Sequence, residues 1–471
     1  MVNPKNITDL CATKMNHFQE DTIVALATPN GTGAIAVIRL SGPEAILIAN
    51  KVFRGKDLTQ QESHTIHFGT INDGTTVLDE VLVSLFVAPR SYTRENVVEI
   101  SCHGSAYIIE SIIKLLMRSG ARAAKPGEFT LRAFLNGQLD LSQAEAVADL
   151  IASNSKASQQ TALQQLRGGY SNQLHALREQ LVQFASLVEL ELDFSEEDVE
   201  FANREQLKQL ITNITRVIGR LIASFELGNA IKQGVNTVIA GRPNAGKSTL
   251  LNALLNEDRA IVSHIPGTTR DTIEEVLNIN GINFRLIDTA GIREATDTIE
   301  QIGVQRTMEK ISQSALILYV YDVNSLSKDD LLADLQSLFK PGVPTIVVAN
   351  KTDLLAHQIN TPELPEGMSI IAVSAKEKQH IDDLKQAIYH AVIKGNISGE
   401  ETLVTNIRHL EALQRTEQAL IRVLDGIANH ITSDFLAMDI KQALHYLGEI
   451  TGTVTTDDLL DNIFSKFCIG K

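Results

Sequence analysis

The chain has no tryptophan, and its three cysteines, Cys11, Cys102 and Cys468, are scattered. That spacing suits neither a zinc site nor a disulfide framework, and it predicts a reducing compartment, the cytoplasm. No apolar run reaches the roughly 18 residues needed to span a membrane. Residues 1–20 hold no arginine and no apolar core of a secretory signal, so they read as a flexible tail. Basic residues are also in deficit: Lys and Arg number 42 against 57 Asp and Glu, for a formal net charge of −15. A dedicated nucleic-acid binder usually carries the opposite balance, so any RNA contact must be local or shared with a partner.

The length suggests about three domains. Over 21–138 apolar and polar residues alternate, as in Ile35-Ala-Val-Ile-Arg39 and Val97-Val-Glu-Ile-Ser101, with one helix near Tyr107–Met117. This predicts an α+β domain. From 139 to 233 the period becomes helical, and helical texture returns over 395–471. Two bundles, or one helical domain split by an insertion, would both give this pattern. We favour the insertion, because 234–394 reads as a self-contained α/β unit with a mostly parallel sheet. Its strands are predicted at Thr237–Ala240, Asn283–Ile287, Leu316–Val320, Thr345–Ala349 and Ser369–Val373, with a hairpin turn at Asn280-Gly281.

Gly241-Arg-Pro-Asn-Ala-Gly-Lys-Ser-Thr249 follows the first of these strands and opens a helix. In that setting GxxxxGK[ST] is a phosphate loop. Backbone N–H groups from Asn244 to Thr249, Ala245 and Gly246 included, face phosphate oxygens at a helix N-terminus. Lys247 reaches the β- and γ-phosphates and Ser248 ligates Mg²⁺. Asp288-Thr289-Ala290-Gly291 supplies a water-mediated Mg²⁺ contact and an N–H that senses the γ-phosphate. Thr269, in Pro266-Gly-Thr-Thr-Arg-Asp271, is the candidate second Mg²⁺ ligand, although a capping threonine is the plain alternative. Asn350-Lys351-Thr-Asp353 and Ser374-Ala375-Lys376 complete a guanine site. The Asp353 carboxylate accepts from guanine N1–H and N2–H₂, donors that adenine lacks as a pair. Asn350 either meets the base or buttresses the phosphate loop. The motifs in this order predict a GTP hydrolase.

Small signalling GTPases orient water with a glutamine directly after DxxG. Here that position is Ile292, so another group must act. Glu300, in the polar stretch that follows, is the catalytic candidate, with a solvated loop acid as the alternative. The carbonyl of Asn244 can hold a monovalent cation beside the phosphates, or Asn244 can simply form a turn.

These motifs, with Arg39-Leu-Ser-Gly42, Pro126-Gly-Glu-Phe129, Arg132-Ala-Phe-Leu-Asn-Gly137, Asp140-Leu-Ser-Gln-Ala-Glu145 and the ending Phe467-Cys-Ile-Gly-Lys471, resemble the MnmE (TrmE) family of bacterial tRNA wobble-uridine modification GTPases. The resemblance covers nearly the whole chain. It implies a homodimer and an N-terminal domain that binds a tetrahydrofolate derivative. It also implies a heterotetramer with the FAD-containing protein MnmG, and a tRNA substrate modified on carbon 5 of uridine 34. It places folate contacts at Arg39, Glu99 and Lys471, and at Gln138, where the family usually has lysine. It places potassium contacts at the Asn244 and Thr268 side chains and at the Ser263 and Ile265 backbones, and the catalytic glutamate at Glu300. For Cys468 it implies a functional thiol near the folate region, whereas the residue alone reads as a small buried hydrophobe. The rival to this reading is a ribosome-assembly GTPase that only switches. A membrane-remodelling GTPase would need an amphipathic segment that the sequence lacks.

Overall fold

The computed structural model describes residues 21–193, 203–258, 275–288, 314–341, 343–354, 364–365, 368–392 and 402–471. It divides into two compact units. One takes residues up to Ala148 together with Leu447–Lys471, the other Asp149–Tyr446.

The first unit is built on a seven-stranded sheet of β1 (Ile23–Leu26), β2 (Gly33–Ser41), β3 (Phe53–Arg54), β4 (Thr65–Asp73), β5 (Thr76–Phe86), β6 (Val97–Gly104) and β7 (Arg122–Ala123). Their order is β3-β4-β5-β6-β2-β1-β7, antiparallel except for the β1–β7 pair. Alternation along the strands sends Ile38, Leu40, Val83, Leu85, Val98 and Ile100 to one face. Two helices cover that face, the predicted one at Ala106–Arg118 and a second at Ala45–Val52. Ala106–Arg118 buries Ile109, Ile112, Leu115 and Leu116, the i, i+3, i+6, i+7 stripe of an amphipathic helix. Ala45–Val52 and a third helix, Glu128–Leu135, are additions to the single helix expected in this region.

The chain's last helix, Asp457–Phe464, packs in this same unit. Phe464 and Phe467, 3% and 9% exposed, sit with Leu141 and Ala144, and their rings stand 5.3 Å apart. The helix stops at Phe464, six residues before Gly470.

In the second unit, β8 (Val235–Ala240), β9 (Glu275–Ile279), β10 (Ile282–Asp288), β11 (Leu316–Asp322), β12 (Thr345–Asn350) and β13 (Met368–Ala372) form a sheet ordered β13-β12-β11-β8-β10-β9. All pairs are parallel except the β9–β10 hairpin, which turns at Asn280-Gly281. Helices cover both faces, so a central strand such as β11 reads as one apolar run. Leu318 and Val320 face the helices Lys247–Asp258 and Ile381–Val392, while Ile317 and Tyr319 face Lys328–Leu338. Helices from both sides of this α/β segment pack together. Arg204–Ala223 buries Leu207, Ile211, Ile214 and Ile218, and it lies against Ile407–Ala428. No helix among the described residues is long and apolar enough to cross a membrane.

Candidate functional site

The parallel strands deliver the nucleotide motifs to one sheet edge. The loops after β8, β12 and β13 all leave carboxyl ends of strands, where open α/β sheets bind ligands. After β8 the chain turns through Gly241–Gly246 into helix Lys247–Asp258, with Asn244 in the left-handed region at φ 61°. Asparagine tolerates that conformation better than most residues, and it leaves the side chain exposed. Gly246, at φ 94°, lies so close to Asn350 that a β-carbon there would collide with the Asn350 amide nitrogen. The Lys247 ammonium donates to the carbonyls of Gly241 at 2.8 Å and Arg242 at 3.0 Å, which holds it over the loop where phosphates belong. Ser248 and Thr249 follow on the exposed first turn.

Asn350 decides between its two expected roles. Its Nδ2 donates to the Ala245 carbonyl at 2.9 Å, and its Oδ1 accepts from the Ala375 N–H at 3.1 Å. It is a buttress that joins the phosphate loop to the Ser374-Ala375-Lys376 loop. Asp353 is exposed, and one of its oxygens accepts from Ser374 Oγ at 2.6 Å, which fixes the carboxylate's orientation. Lys351, at φ 67°, donates to Asp322 at 2.8 Å. Burial would raise the Asp322 carboxyl, but hydrogen bonds from Lys351 and Asn324 outweigh it and hold it below the usual range. Lys376 is exposed. The base loop is therefore anchored on three sides, with Asp353 left facing out. Asp288 ends β10, next to β8. The candidates Ser263, Ile265, Thr268, Thr269, Thr289, Ala290, Gly291 and Glu300 lie outside the described residues.

A second cluster stands on the first unit. Arg39 and Glu99 face each other across β2 and β6, with Nε to Oε1 at 2.9 Å and Nη2 to Oε1 at 2.8 Å. They lie on the sheet face opposite the helices Ala45–Val52 and Ala106–Arg118. The Arg39 guanidinium stands 5.6 Å from the Tyr92 ring and 5.7 Å from the Phe129 ring, and it donates to the Gly470 carbonyl at 3.4 Å. The C-terminal tail therefore meets the pair to which the resemblance points. At φ 92° Gly470 is so close to the Leu26 carbonyl that no β-carbon would fit. Cys468 is exposed, not a buried hydrophobe. Gln138 accepts from Arg94 Nε at 2.9 Å, away from the Arg39–Glu99 pair in the hydrogen-bond network.

The sequence reading missed several residues around this cluster. Tyr92, whose hydroxyl pairs with Thr130 Oγ1 at 2.8 Å, supports the Arg39 guanidinium. Arg132, 1% exposed, pairs with Asp21, Glu95 and Glu128 and fixes the helix that carries Phe129. The i, i+4 spacing of Glu128 and Arg132 was the available signal.

Comparison with known proteins agrees with this arrangement. The family model described as "GTP-binding protein TrmE N-terminus" matches residues 22–138, and "MnmE helical domain" matches 141–468. The tRNA modification GTPase MnmE of Cytophaga hutchinsonii is 58% identical over 98% of this chain and 99% of its own length. That of Flavobacterium psychrophilum is 55% identical over 96% and 99%. That of Bacteroides thetaiotaomicron is 50% identical over 96% and 100%. The G-domain of FeoB from Methanococcus jannaschii is 26% identical over 34% of this chain and 97% of that chain, with a TM-score of 0.26, too low to bear on the fold. With phosphate and base loops assembled at one sheet edge and such identity over its whole length, the chain belongs to the MnmE family of tRNA modification GTPases.

Proposed function

We propose that this GTP hydrolase is activated by potassium. With a flavin-carrying partner, MnmG, it would modify carbon 5 of the wobble uridine of certain tRNAs, using a one-carbon unit held on tetrahydrofolate. The observation that carries this reading is the presence of two dissimilar sites on one chain. One is the guanine-nucleotide set of the α/β sheet. The other is the Arg39–Glu99 pair in contact with the C-terminal tail. A GTPase that only switches has no need of the second.

At the first site, Asp353 selects guanine and Lys247 turns from the loop carbonyls to the phosphates. Ser248 and Thr269 are the hydroxyls that would hold Mg²⁺. Asn244 and Thr268, with the Ser263 and Ile265 carbonyls, would hold K⁺. This donor set is all oxygen and suits both hard cations. Bound there, the cations would offset negative charge growing between the β- and γ-phosphates. Glu300 would orient the attacking water, since Ile292 cannot.

At the second site, Arg39, Glu99, Gln138 and Lys471 would bind the folate. A hollow of about 720 Å³ bounded by Phe86, Tyr92 and Gln138 has the size and aromatic lining that such a ligand needs. Tyr92 joins the two, because its ring also supports Arg39. The outward sheet face beside it exposes Ile66, Phe68 and Leu82 at 66%, 67% and 47%, which supports a homodimer formed through this domain. Cytoplasmic location follows from a tRNA substrate.

The test is GTP turnover by the full chain in K⁺ and in Na⁺, together with pull-down of the flavoprotein. Potassium should accelerate hydrolysis by about 10³-fold, roughly 4 kcal/mol of barrier. Equal rates would overturn potassium activation. Capture of ribosomal RNA in place of the flavoprotein would overturn the assignment to tRNA modification.

A further inference from the structure

The hollow beside Tyr92 is lined by His64, Phe86, Arg90, Arg94 and Gln138 among others. None of the described residues that line it is acidic. It therefore combines aromatic surface with guanidinium charge, which suits a flat ligand that ends in an anion.

Within that lining Arg94 is held unusually firmly for an exposed side chain. Its backbone is in the left-handed region at φ 59°, uncommon for arginine. Its Nε donates to Gln138 Oε1 at 2.9 Å, and its Nη1 donates to the Asn136 carbonyl at 3.0 Å. Asn136 is itself tied back, with Nδ2 donating to the Thr93 carbonyl at 2.7 Å. A guanidinium has five donors. Two are spent on holding Arg94 in place, which leaves three for a ligand. Gln138, being neutral, cannot pair with an anion by charge, and its oxygen is turned toward Arg94.

We infer that Arg94 is the residue that takes the glutamate carboxylates of the reduced folate, and that Gln138, already among the proposed folate contacts, also holds Arg94 in position. The inference rests on the folate reading of this domain. A planar guanidinium that is already oriented binds carboxylate at little cost in side-chain entropy.

The test is a direct binding titration of the full-length protein, with no turnover involved. The ligands are 5-formyltetrahydrofolate and its dimethyl ester, in which both glutamate carboxylates are neutral. The variants are Arg94→Gly, which removes the cation while suiting the left-handed backbone, and Arg94→Gly combined with Gln138→Lys. Wild type should bind the acid about tenfold more tightly than the ester. Arg94→Gly should bind both as weakly as wild type binds the ester. The double variant should regain the preference for the acid, because it returns a cation to the same wall. Equal binding of acid and ester by wild type, or an unchanged preference in Arg94→Gly, would overturn the role of Arg94 and leave folate binding standing. If wild type binds neither ligand, the folate reading falls and this assignment falls with it.

Discussion

The Asn350 side chain bridges the Ala245 carbonyl, at 2.9 Å, and the Ala375 N–H, at 3.1 Å. One amide, 2% exposed, thus ties the loop that meets phosphate to the loop that meets the base. Asn350→Ala would leave a buried carbonyl and a buried N–H unpartnered, at a cost of about 1–3 kcal/mol each. GTP and GDP affinity should both fall at least about tenfold, and thermal unfolding of the α/β part should move down. Wild-type affinity for both nucleotides in a fluorescence titration would show that the bridge is dispensable.

Asp353 makes the next case. Ser374 Oγ already donates to one of its oxygens at 2.6 Å, so the carboxylate is oriented before any base arrives. Asp353→Asn should move preference from guanine toward xanthine nucleotide, whose C2 carbonyl accepts from an amide. Ser374→Ala should weaken GTP binding without changing base choice. Competition assays against ATP, GTP and XTP separate these outcomes, and equal use of ATP and GTP by wild type would contradict the base site.

The buried ion network of the first unit predicts an acid limb. Burial would raise the Glu128 carboxyl, but hydrogen bonds from Arg122 and the Lys125 N–H, with the charges of Arg122 and Arg132, outweigh it and hold it below the usual range. Asp21 is lowered in the same way by Arg122 and Arg132. A carboxyl that titrates lower when folded stabilises fully above its unfolded value, near pH 4, and that contribution fades as pH falls through the folded value. Glu128→Gln should cost about 3 kcal/mol at neutral pH. It should also flatten the loss of stability between about pH 5 and pH 2. An unaltered acid limb in circular-dichroism melts would deny the network this role.

Gly470 sets the tail's position against Leu26. Gly470→Ala cannot keep both φ 92° and that close approach, so the tail must shift away from Arg39. Wobble-uridine modification should fall at least about tenfold while GTP hydrolysis stays near wild type. Cys468→Ser should behave alike if the exposed thiol reacts. Parallel loss of both activities would mark the tail as a packing element.

The sequence made the nucleotide loops legible because their chemistry is local. Gly241 to Thr249 is contiguous, and the strand and helix that flank it follow from apolar period alone. Asn350's choice between base and buttress was not legible, since it depends on where Ala245 and Ala375 meet in space. The same holds for the helix Glu128–Leu135. Its eight residues carry too short a pattern, and its fixation comes from Asp21 and Glu95, distant in sequence. The Arg39–Glu99 pair could be named only through resemblance, because an isolated charge pair on strands says nothing until Tyr92, Phe129 and Gly470 close around it. The place of Gly470 was not legible either, because it answers to Leu26, on a strand at the far end of the chain.

The central claim is that GTP hydrolysis by this chain serves modification of the wobble uridine. The most direct measurement is nucleoside mass spectrometry of tRNA from cells lacking the protein, complemented with wild type or with Asp353→Asn. Uridines carrying the aminomethyl-type group on carbon 5 should disappear in the deletion. They should return with wild type and stay absent with Asp353→Asn. An unchanged nucleoside profile in the deletion would contradict the account.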